Sequence, residues 1–511
     1  MTFVDPMHVP ETPVNKIHSP ITHDNDHSAQ PEYEYDINEK NQTNYQIWKK
    51  NAKHLYDYLN TNTCRWPSLS VQIFPDIHES TLSRRLLLSQ FTSGQIPQDE
   101  MVYLSSISTS IPWSSINNFE MDDMEFHVDS STTPTTSTVS ASSKSQRRKK
   151  NLDREIEIQF PVGEECNRSR YMFSNPDVIG SVSSRGSIYI HNKTKCLSNT
   201  VTTTPEFRLE CASTSTTSTS QIDPDFESLS LAWNFQQEGV LSTCANEGSV
   251  FVWDLNKVYC KKEMSFFAGP MSQETCPSTS SYEYRVKVDP VGCNDVSWMV
   301  NHRNIVAAAC ETRGLQVLDT RRSGSETSAS GSSISFHTDG NGGANGSSLN
   351  SVQFNWQNDM LLCTGSSTGS ISIWDLRSLS TPLQTFIHDH KLGPISNVQW
   401  NPLLPNIIAS AGLEDGLVKI WDTAPATPAT PNSTTLTTEI SLNTETLQNT
   451  HRESANSQDN ENLIFTHGGH MLGCNDVAWD FHDQWLLASV SNDNSIHLWK
   501  PARRAIAAYY G

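Results

Sequence analysis

The sequence predicts an all-β fold, a seven-bladed β-propeller preceded by one α-helix and interrupted by Ser/Thr-rich inserts. The first observation is a short alternating apolar run that recurs along the chain and is often followed by Asp. The second is another short sequence motif about 20 residues upstream of each run. The third is a further apolar run between that motif and the first run. Such period-2 runs, separated by polar turns, predict strands rather than helices. The six recurring runs are 187–192, 249–254, 315–319, 370–375, 417–422 and 495–500.

The ends of these runs have the signature of WD repeats. Trp and Asp stand together at Trp253-Asp254, Trp374-Asp375 and Trp421-Asp422. Each WD repeat folds as one four-stranded blade of a propeller. A single Trp-Asp pair would be weak evidence, but six copies with their elements in the same order predict a WD40 β-propeller.

The spacing between the copies is irregular because polar inserts separate the repeats. They lie near 129–150, 193–222, 261–284, 321–347 and 423–460. Ser/Thr-rich stretches bury too little apolar area to offset the entropy of ordering, so we expect disordered surface loops.

The length that remains without the inserts, the N-terminus and the helix gives about 44 residues for each of seven blades, as in known WD repeats. The seventh blade is expected from residues 84–128 plus 151–160. Residues 68–74 are then expected to join the last blade and close the ring, because closure protects edges that an open sheet would expose.

The N-terminal part has a helical pattern instead. Trp48, Ala52, Leu55 and Leu59 recur at three- and four-residue steps, which predicts an amphipathic helix over 37–62. The proline at position 67 forbids its continuation.

The predicted organisation is therefore a disordered N-terminus (1–36), a helical segment that docks on the propeller (37–67), the propeller itself (68–503) and a C-terminal tail (504–511).

Composition excludes several classes of protein. The chain has 511 residues and a formal net charge of −20, which argues against a general nucleic-acid binder and suits a basic partner. It contains no apolar run long enough to cross a membrane and no secretory signal at its start. Its 11 cysteines are odd in number and never spaced as Cys-x-x-Cys, which is typical of reduced intracellular thiols without a zinc site or a disulfide framework.

Several further segments share the motifs of one known family. They are 45–51, 55–57, 66–69, 113–126, 165–171 and 465–473. These segments resemble the retinoblastoma-binding, histone-binding WD-repeat proteins, which are shared subunits of chromatin assembly, deacetylase, remodelling and acetyltransferase complexes. The resemblance spans roughly residues 37–128 and 151–503. It implies histones H3 and H4 as partners.

The resemblance implies one site for the first helix of histone H4, between the N-terminal helix and the segment before the last blade. On the matching positions, one side consists of His54, Leu55 and Tyr58. The other side consists of Leu463, Ile464 and Phe465, with Asp459 and Glu461 nearby to meet basic side chains. The family usually has Phe at the position of His54 and an acidic run where this chain has the Ser/Thr-rich insert 423–460. Binding of H4 is therefore expected to be weaker, or to need another subunit.

The resemblance also implies a site for the basic tail of histone H3 at the top mouth of the propeller. Glu165 and Glu227 match acidic positions of the family there, and Asn167 and Arg168 match neighbouring ones. Three polar residues stand where the family tends to have Glu, so the mouth is expected to be less acidic; they are Asn294, Ser348 and Asn492.

Two other motifs allow more than one interpretation. His467 and His470 could suggest a metal site, but no third ligand lies at metal spacing. We therefore expect no metal, with His470 hydrogen-bonded to Asp476 or Asp493. The densest basic run is interpreted as a nuclear import signal rather than a charged linker. It contains Lys144, Arg147, Arg148, Lys149 and Lys150.

Together these features predict a non-enzymatic histone H3–H4 binding subunit of a chromatin assembly complex, active in nucleosome assembly during DNA replication and repair. It is expected in the nucleus, with the cytoplasm open as a second location. It would act beside larger subunits, without a cofactor, a membrane or sequence-specific nucleic-acid binding. The alternatives are a histone-binding subunit of a type B histone acetyltransferase or a deacetylase complex, and a substrate receptor of a ubiquitin ligase. A recognisable catalytic set of residues is not found in the sequence.

Overall fold

The structure is a computed structural model. Its described part consists of one long helix and seven blades. The described residues are 30–78, 83–109, 119–120, 125–126, 153–196, 201–211, 226–257, 278–279, 282–321, 333–335, 348–388, 393–424 and 462–507. The helix, α1, is Gln30–Leu55. The predicted all-β, seven-bladed propeller is confirmed.

Each blade contributes four main strands, numbered along the chain and ordered within the blade from the central channel outwards. Blade one is β2 (Val71–His78), β3 (Ser83–Gln90), β4 (Met101–Ser108) and β7 (Asp153–Gln159); blade two is β8 (Cys166–Met172), β9 (Asn175–Ser183), β10 (Ser187–Asn192) and β12 (Phe207–Glu210); blade three is β13 (Ser228–Trp233), β14 (Val240–Ala245), β15 (Ser249–Asp254) and β17 (Tyr284–Lys287); blade four is β18 (Cys293–Trp298), β19 (Ile305–Cys310), β20 (Leu315–Asp319) and β21 (Ser333–Ser335). Blade five is β22 (Leu349–Phe354), β23 (Leu361–Ser366), β24 (Ser370–Asp375) and β25 (Gln384–Ile387); blade six is β26 (Ile395–Trp400), β27 (Ile407–Gly412), β28 (Val418–Asp422) and β29 (Leu463–His467); blade seven is β30 (Cys474–Trp479), β31 (Leu487–Ser491), β32 (Ser495–Pro501) and β1 (Tyr56–Thr63).

Four two-residue strands complete the sheets. β11 (Val201–Thr202) pairs in parallel with β7, and β16 (Ser278–Thr279) pairs in parallel with β12. β5 (Phe119–Glu120) and β6 (Glu125–Phe126) form a small hairpin. The strands β11 and β16 cover the outer edges of blades one and two, which would otherwise expose unpaired backbone groups.

The ring is closed by β1, and the prediction that 68–74 closes it is wrong. β1 pairs with β32 in antiparallel register from Thr63 opposite Ser495 to Tyr56 opposite Pro501. Residues 71–78 form instead the innermost strand of blade one. The expected strands of that blade from 84–128 and 151–160 are present, but its fourth strand comes from upstream of them.

The predicted end of the helix is also wrong, since α1 ends at Leu55 and not at residue 62. Residues 60–63 are Asn, Thr, Asn and Thr, which favour the helix interior weakly. The open edge of β32 offers a complete ladder of backbone hydrogen bonds to the same residues, so they adopt a strand. At the other end, α1 begins seven residues before the predicted start at 37, within the segment predicted to be disordered.

Three of the expected inserts contain strands of the propeller. The expected insert 193–222 contains β12, the outer strand of blade two, whose Phe207 and Leu209 are buried. Within the predicted C-terminal tail 504–511, Ile506 is fully buried against blade seven. Short strands also interrupt the inserts near 261–284 and 321–347. The insert 129–150 and nearly all of 423–460 lie outside the described residues.

Buried side-chain hydrogen bonds hold the strands of the blades together. The indole of Trp421 donates to Ser410 at 2.9 Å, Ser410 bonds His388 at 2.8 Å, and His388 Nε2 lies 3.2 Å from Asp415. The same indole-to-hydroxyl bond recurs in blades three, five and seven, at 2.9 to 3.1 Å. The Trp of each WD signature is therefore a structural residue, as its repetition predicts.

The helix α1 docks on blades six and seven through its apolar stripe. Trp48 and Ala52 are buried, and Tyr45 and Leu55 pack against the same core cluster. Gly469 permits the close approach, because a Cβ atom at this position would lie 2.7 Å from the Trp48 ring.

Candidate functional site

The predicted H4 groove lies where the last turn of α1 faces β29. His54 is exposed and Leu55 half-buried on the helix side, while Leu463 and Ile464 are half-buried on the strand side. Leu55 and Ile464 pack against the same core cluster. These partly exposed apolar side chains could contact the apolar face of a partner helix. Asp459 and Glu461 lie outside the described residues.

Two residues predicted as the floor of this groove belong to the core instead. Tyr58 has 1% of its surface exposed and lies in β1, packed among side chains of blades one and seven. Phe465 is 6% exposed, with its ring 5.4 Å from that of Tyr56 and 5.8 Å from that of Trp499. The helical pattern places Tyr58 on a helix flank, but the chain is already a strand at that position. Direct contact with a partner is therefore expected from Leu55 and Ile464.

A relay of hydrogen bonds joins α1 to the ring beneath the groove. The Trp48 indole donates to the Tyr56 hydroxyl at 2.7 Å, and this hydroxyl lies 2.6 Å from His467 Nδ1. His467 Nε2 lies 3.0 Å from His497 Nδ1. Because an indole only donates, the Tyr56 hydroxyl accepts a hydrogen bond from Trp48. Which atom donates in the bonds of His467 to Tyr56 and to His497 depends on the tautomers of the two histidines.

His467, His470 and His497 place one ring nitrogen each within 4.8 Å of one another. His497 is a third nearby histidine that the sequence spacing did not reveal, because it lies on a different strand from His467 and His470. The rings are nevertheless arranged for packing, since His470 and His497 stack at 4.2 Å with an interplanar angle of 13°. Both nitrogens of His467 and both nitrogens of His470 have hydrogen-bond partners. A metal ion at this position would have to displace them.

The partners of His470 differ from the expected ones. It bonds Ser495 at 2.7 Å and Ser489 at 2.8 Å, and Ser495 in turn donates to Asp493. Asp493 is thus connected to His470 only through the Ser495 hydroxyl, whereas Asp476 pairs with Arg170 at 2.9 Å in the channel. Burial lowers the pKa of all three histidines of the cluster, and for His467 the neighbouring histidines lower it further. All three are therefore neutral at pH 7.

The acidic residues expected at the mouth of the propeller stand directly before innermost strands. The Glu165 amide donates to Ser184 at 3.0 Å, and the Glu227 amide donates to Asn246 at 3.0 Å. Each glutamate is thereby fixed to the turn between the second and third strands of its blade. Burial raises the pKa of Glu165, and the charge of Glu227 raises it further. The two carboxylates are close enough to interact, and a bound cation would relieve their repulsion.

Sequence reasoning missed three further glutamates at this end: Glu100, Glu311 and Glu414. Glu311 accepts a hydrogen bond at 2.8 Å from Asn294, so the neighbouring turn supplies a carboxylate where the family glutamate is absent. Burial raises the pKa of Glu100 to about 7, although hydrogen bonds from Thr92 act in the opposite direction. Glu311 and Glu414 lie in turns between the second and third strands of their blades, and these turns reach the same mouth. Acidic residues in such turns could therefore have been predicted from the sequence as part of the mouth.

Asn167 and Arg168 have structural roles in the described residues. Asn167 donates to the Ser228 carbonyl at 2.9 Å and so ties blade two to blade three. Arg168 pairs with Asp295 at 2.8 Å in the channel and also bonds Ser230. The two residues hold the ring together next to the acidic mouth.

The basic run from Lys144 to Lys150 lies outside the described residues. No helix in the described part of the chain is long and apolar enough to span a membrane.

Comparison with known proteins gives three matches to family models and a related protein. Residues 43–112 match the family described as the histone-binding protein RBBP4 or a subunit of the CAF1 complex. Residues 461–500 match the WD domain, G-beta repeat, and residues 275–453 match the N-terminal domain of nucleolar protein 10-like proteins. The chain is 38% identical over 476 residues to histone-binding protein MSI1 of Saccharomyces cerevisiae, covering 90% of this chain and 94% of that protein.

Proposed function

Because the chain belongs to the family of histone-binding WD-repeat proteins that includes MSI1, we propose that it is the histone H3–H4 binding subunit of a chromatin assembly complex. In this role it delivers histones for nucleosome assembly coupled to DNA replication or repair. The observation that supports the proposal is the pair of half-buried apolar side chains Leu55 and Ile464, which pack against one core cluster where α1 ends beside β29. Leu55 lies within the segment 43–112 that matches the histone-binding family model.

The proposed mechanism combines a groove with a charged mouth. The half-buried Leu55 and Ile464 offer apolar contact to one face of a histone helix. The carboxylates at the mouth, with the net charge of −20, attract a basic histone and orient its approach. The chain acts by binding and presentation, without catalysis, and larger subunits position it where DNA is assembled.

A second candidate within the same family is the histone-binding subunit of a type B histone acetyltransferase or a deacetylase complex. Proteins that copurify with the chain distinguish the two, since a large chaperone subunit supports the first proposal and an acetyltransferase or a deacetylase supports the second. No feature of the described residues favours a ubiquitin-ligase receptor.

The proposed site of action is the nucleus, and the proposed import signal is the basic run from Lys144 to Lys150. Replacing Arg147, Arg148, Lys149 and Lys150 by Ala should shift the protein towards the cytoplasm. An unchanged distribution would assign the run to a charged linker.

The histone proposal is tested by binding of recombinant H3–H4 to wild-type protein and to a Leu55→Asp/Ile464→Asp variant. Two new charges in the groove should weaken binding at least about 30-fold, because each apolar contact is replaced by a desolvated charge. The matched control is Val201→Asp/Leu383→Asp, which adds the same two charges at positions away from α1 that are 47% and 56% exposed. Equal binding by the folded double variant and the control would exclude this groove.

A further inference from the structure

Helix α1 contacts blade six at both of its ends. In the first half of the helix, the side-chain amide of Asn41 donates to the backbone carbonyl of Glu414 at 2.8 Å, and Asn41 is 2% exposed. At the end of the helix, Leu55 packs against the same core cluster as Ile464. Ile464 lies in β29 at the far end of the blade, next to the residue that pairs with Trp421. From Asn41 to Leu55 the helix rises about 21 Å.

The contact at Asn41 involves a residue of the acidic mouth. Glu414 lies in the turn between β27 and β28. Its carboxylate packs over Gly393, two residues before the innermost strand β26, since a Cβ atom at this glycine would lie 2.7 Å from Glu414 Oε2. Glu311 of blade four packs over Gly292 in the same way. Partial burial raises the pKa of Glu414, and the charge of Asp415 raises it further. A basic ligand at the mouth would relieve this repulsion.

The turn that carries Glu414 is held from two sides. On one side it packs against the linker between blades six and seven, because a Cβ atom at Gly416 would lie 2.6 Å from the carbonyl oxygen of Leu472. On the other side it accepts the hydrogen bond of Asn41. The accepting carbonyl and the carboxylate belong to the same residue. The bond from Asn41 therefore helps to set the position from which the Glu414 side chain extends.

The second half of α1 is fixed to the ring, and the groove lies at the end of this half. Trp48 is 5% exposed and packs in the core cluster shared by blades six and seven. A ligand helix between Leu55 and Ile464 would add contacts to the last turn. Because the backbone hydrogen bonds of a helix run along its whole length, restraint of the last turn also restrains the turn of Asn41. The entropy cost of holding the bond at Asn41 is then smaller when a second ligand binds at the mouth.

We propose that α1 couples the groove to the mouth, with Asn41 as the positioning residue for Glu414. A histone helix in the groove restrains α1, and the restrained helix holds the turn that presents the Glu414 carboxylate to a basic histone segment. Each ligand therefore binds more tightly when the other is present. The inference rests on the proposed histone-binding function, and it adds that an H3–H4 unit is held better than either histone alone.

A direct interaction between the two ligands would have the opposite sign. Both are basic, so their charges oppose joint binding. The two positions lie about 21 Å apart along α1, beyond the screening length of about 8 Å at physiological salt, so this effect is small. A positive coupling has to pass through the protein, and α1 contacts both positions.

The test is a thermodynamic cycle on the full chain at about 0.15 M ionic strength, with two labelled peptides, the first helix of H4 and the amino-terminal tail of H3. A saturating concentration of the H4 peptide should raise the affinity for the H3 peptide at least about threefold. The H3 peptide should raise the affinity for the H4 peptide by the same factor, because coupling between two binding sites is reciprocal. One hydrogen bond contributes a factor of about 2 to 13, so a factor of this size is within its reach.

The variant Asn41→Ala removes the donor and should reduce the coupling factor to about one. The matched control is Asn51→Ala on the same helix, because Asn51 donates at 3.1 Å to the carbonyl of Ile47 within α1. The control should keep the wild-type factor. A residue that only anchors the helix would change the stability or both affinities and leave the factor unchanged. Circular dichroism and urea unfolding check that both variants are folded.

Glu414→Gln is a second variant, for the case that Asn41→Ala does not fold. It keeps the backbone carbonyl that accepts from Asn41 and removes only the charge, so the coupling factor should again fall to about one. Binding of both peptides to the wild type with a factor below about three, or a factor that survives in a folded variant, overturns the inference and leaves the histone proposal standing. Failure of the wild type to bind the H3 peptide overturns the inference and the role of the mouth. Failure to bind either peptide overturns the histone proposal as well.

Discussion

Replacing Tyr56 by Phe removes one oxygen atom from the relay that joins α1 to blade seven. The hydroxyl accepts from Trp48 at 2.7 Å and bonds His467 at 2.6 Å, and Tyr56 is 3% exposed. Phenylalanine keeps the ring that packs edge-on against Phe465 and Trp499. The substitution therefore tests the hydrogen bonds with little change in packing.

The expected cost follows from the two groups that lose their partner. The indole N–H of Trp48 and Nδ1 of His467 both become unsatisfied in a buried site. Each such group costs about 1–3 kcal/mol, so the free energy of unfolding should fall by about 2–6 kcal/mol. At about 2.1 cal/mol/K of unfolding entropy per residue, the corresponding fall in Tm for a domain of this size is roughly 3–8 °C.

The assay is urea and thermal unfolding, combined with limited proteolysis of α1. Tyr45→Phe is the control on the same helix, because the half-buried Tyr45 hydroxyl has no hydrogen-bond partner among the described residues. It should change stability by less than about 0.5 kcal/mol. A Tyr56→Phe protein as stable as this control, with α1 equally resistant to protease, would refute the role of the relay.

Three further predictions follow from buried groups. Burial lowers the pKa of His467, His470 and His497 below their value of about 6.5 in the unfolded chain, so only the unfolded state takes up protons as the pH falls below 6.5. The free energy of unfolding should therefore decrease by up to about 1.4 kcal/mol per pH unit for each histidine. Urea unfolding midpoints of the wild type and of His470→Gln, measured across this pH range, check this. His191 has a pKa of about 4 because it is buried, and neither of its ring nitrogens has a partner, so His191→Leu should raise stability by about 1–3 kcal/mol in the same assay, and a destabilised variant would contradict the argument. Phe465→Ala should lower stability by about 3–5 kcal/mol through loss of core packing, so a loss of H4 binding in this variant must be compared with its folded fraction.

The repeats could be predicted from sequence because each blade repeats the same local chemistry. The alternating runs of blades two to seven give the third strand of each blade, and in blades three, five, six and seven the Trp of the run donates a buried hydrogen bond to a hydroxyl of the second strand. Blade one has no Trp-Asp signature, so its innermost strand was assigned to the wrong blade. The end of α1 was missed for a related reason, because the partner of β1 lies more than 400 residues away in β32. Local propensity carries no information about such a pairing.

The candidate site could be located from sequence only in outline. The family resemblance placed the groove at α1 and β29, but it could not tell which residues there are exposed and which belong to the core. Exposure depends on the exact residue at which α1 becomes β1, and this residue is set by the ladder with β32. The residues of the acidic mouth could likewise be predicted only in part, because Glu311 reaches the mouth from a turn that no repeat signature marks.

Closure of the ring and formation of the groove use the same residues. Tyr56 is the first residue of the closing strand, takes part in the relay to α1, and packs against Phe465 of β29. α1 therefore cannot leave the ring without exposing the closing edge of blade seven, and a partner bound between α1 and β29 stabilises both contacts at once. By mass action, a ligand at 100 times its Kd adds about 2.7 kcal/mol to stability. Histone binding in this groove should therefore protect β1 from hydrogen exchange as well as α1, although β1 is buried and does not touch the ligand. Protection limited to α1 and β29 would show that the groove and the closing strand are independent.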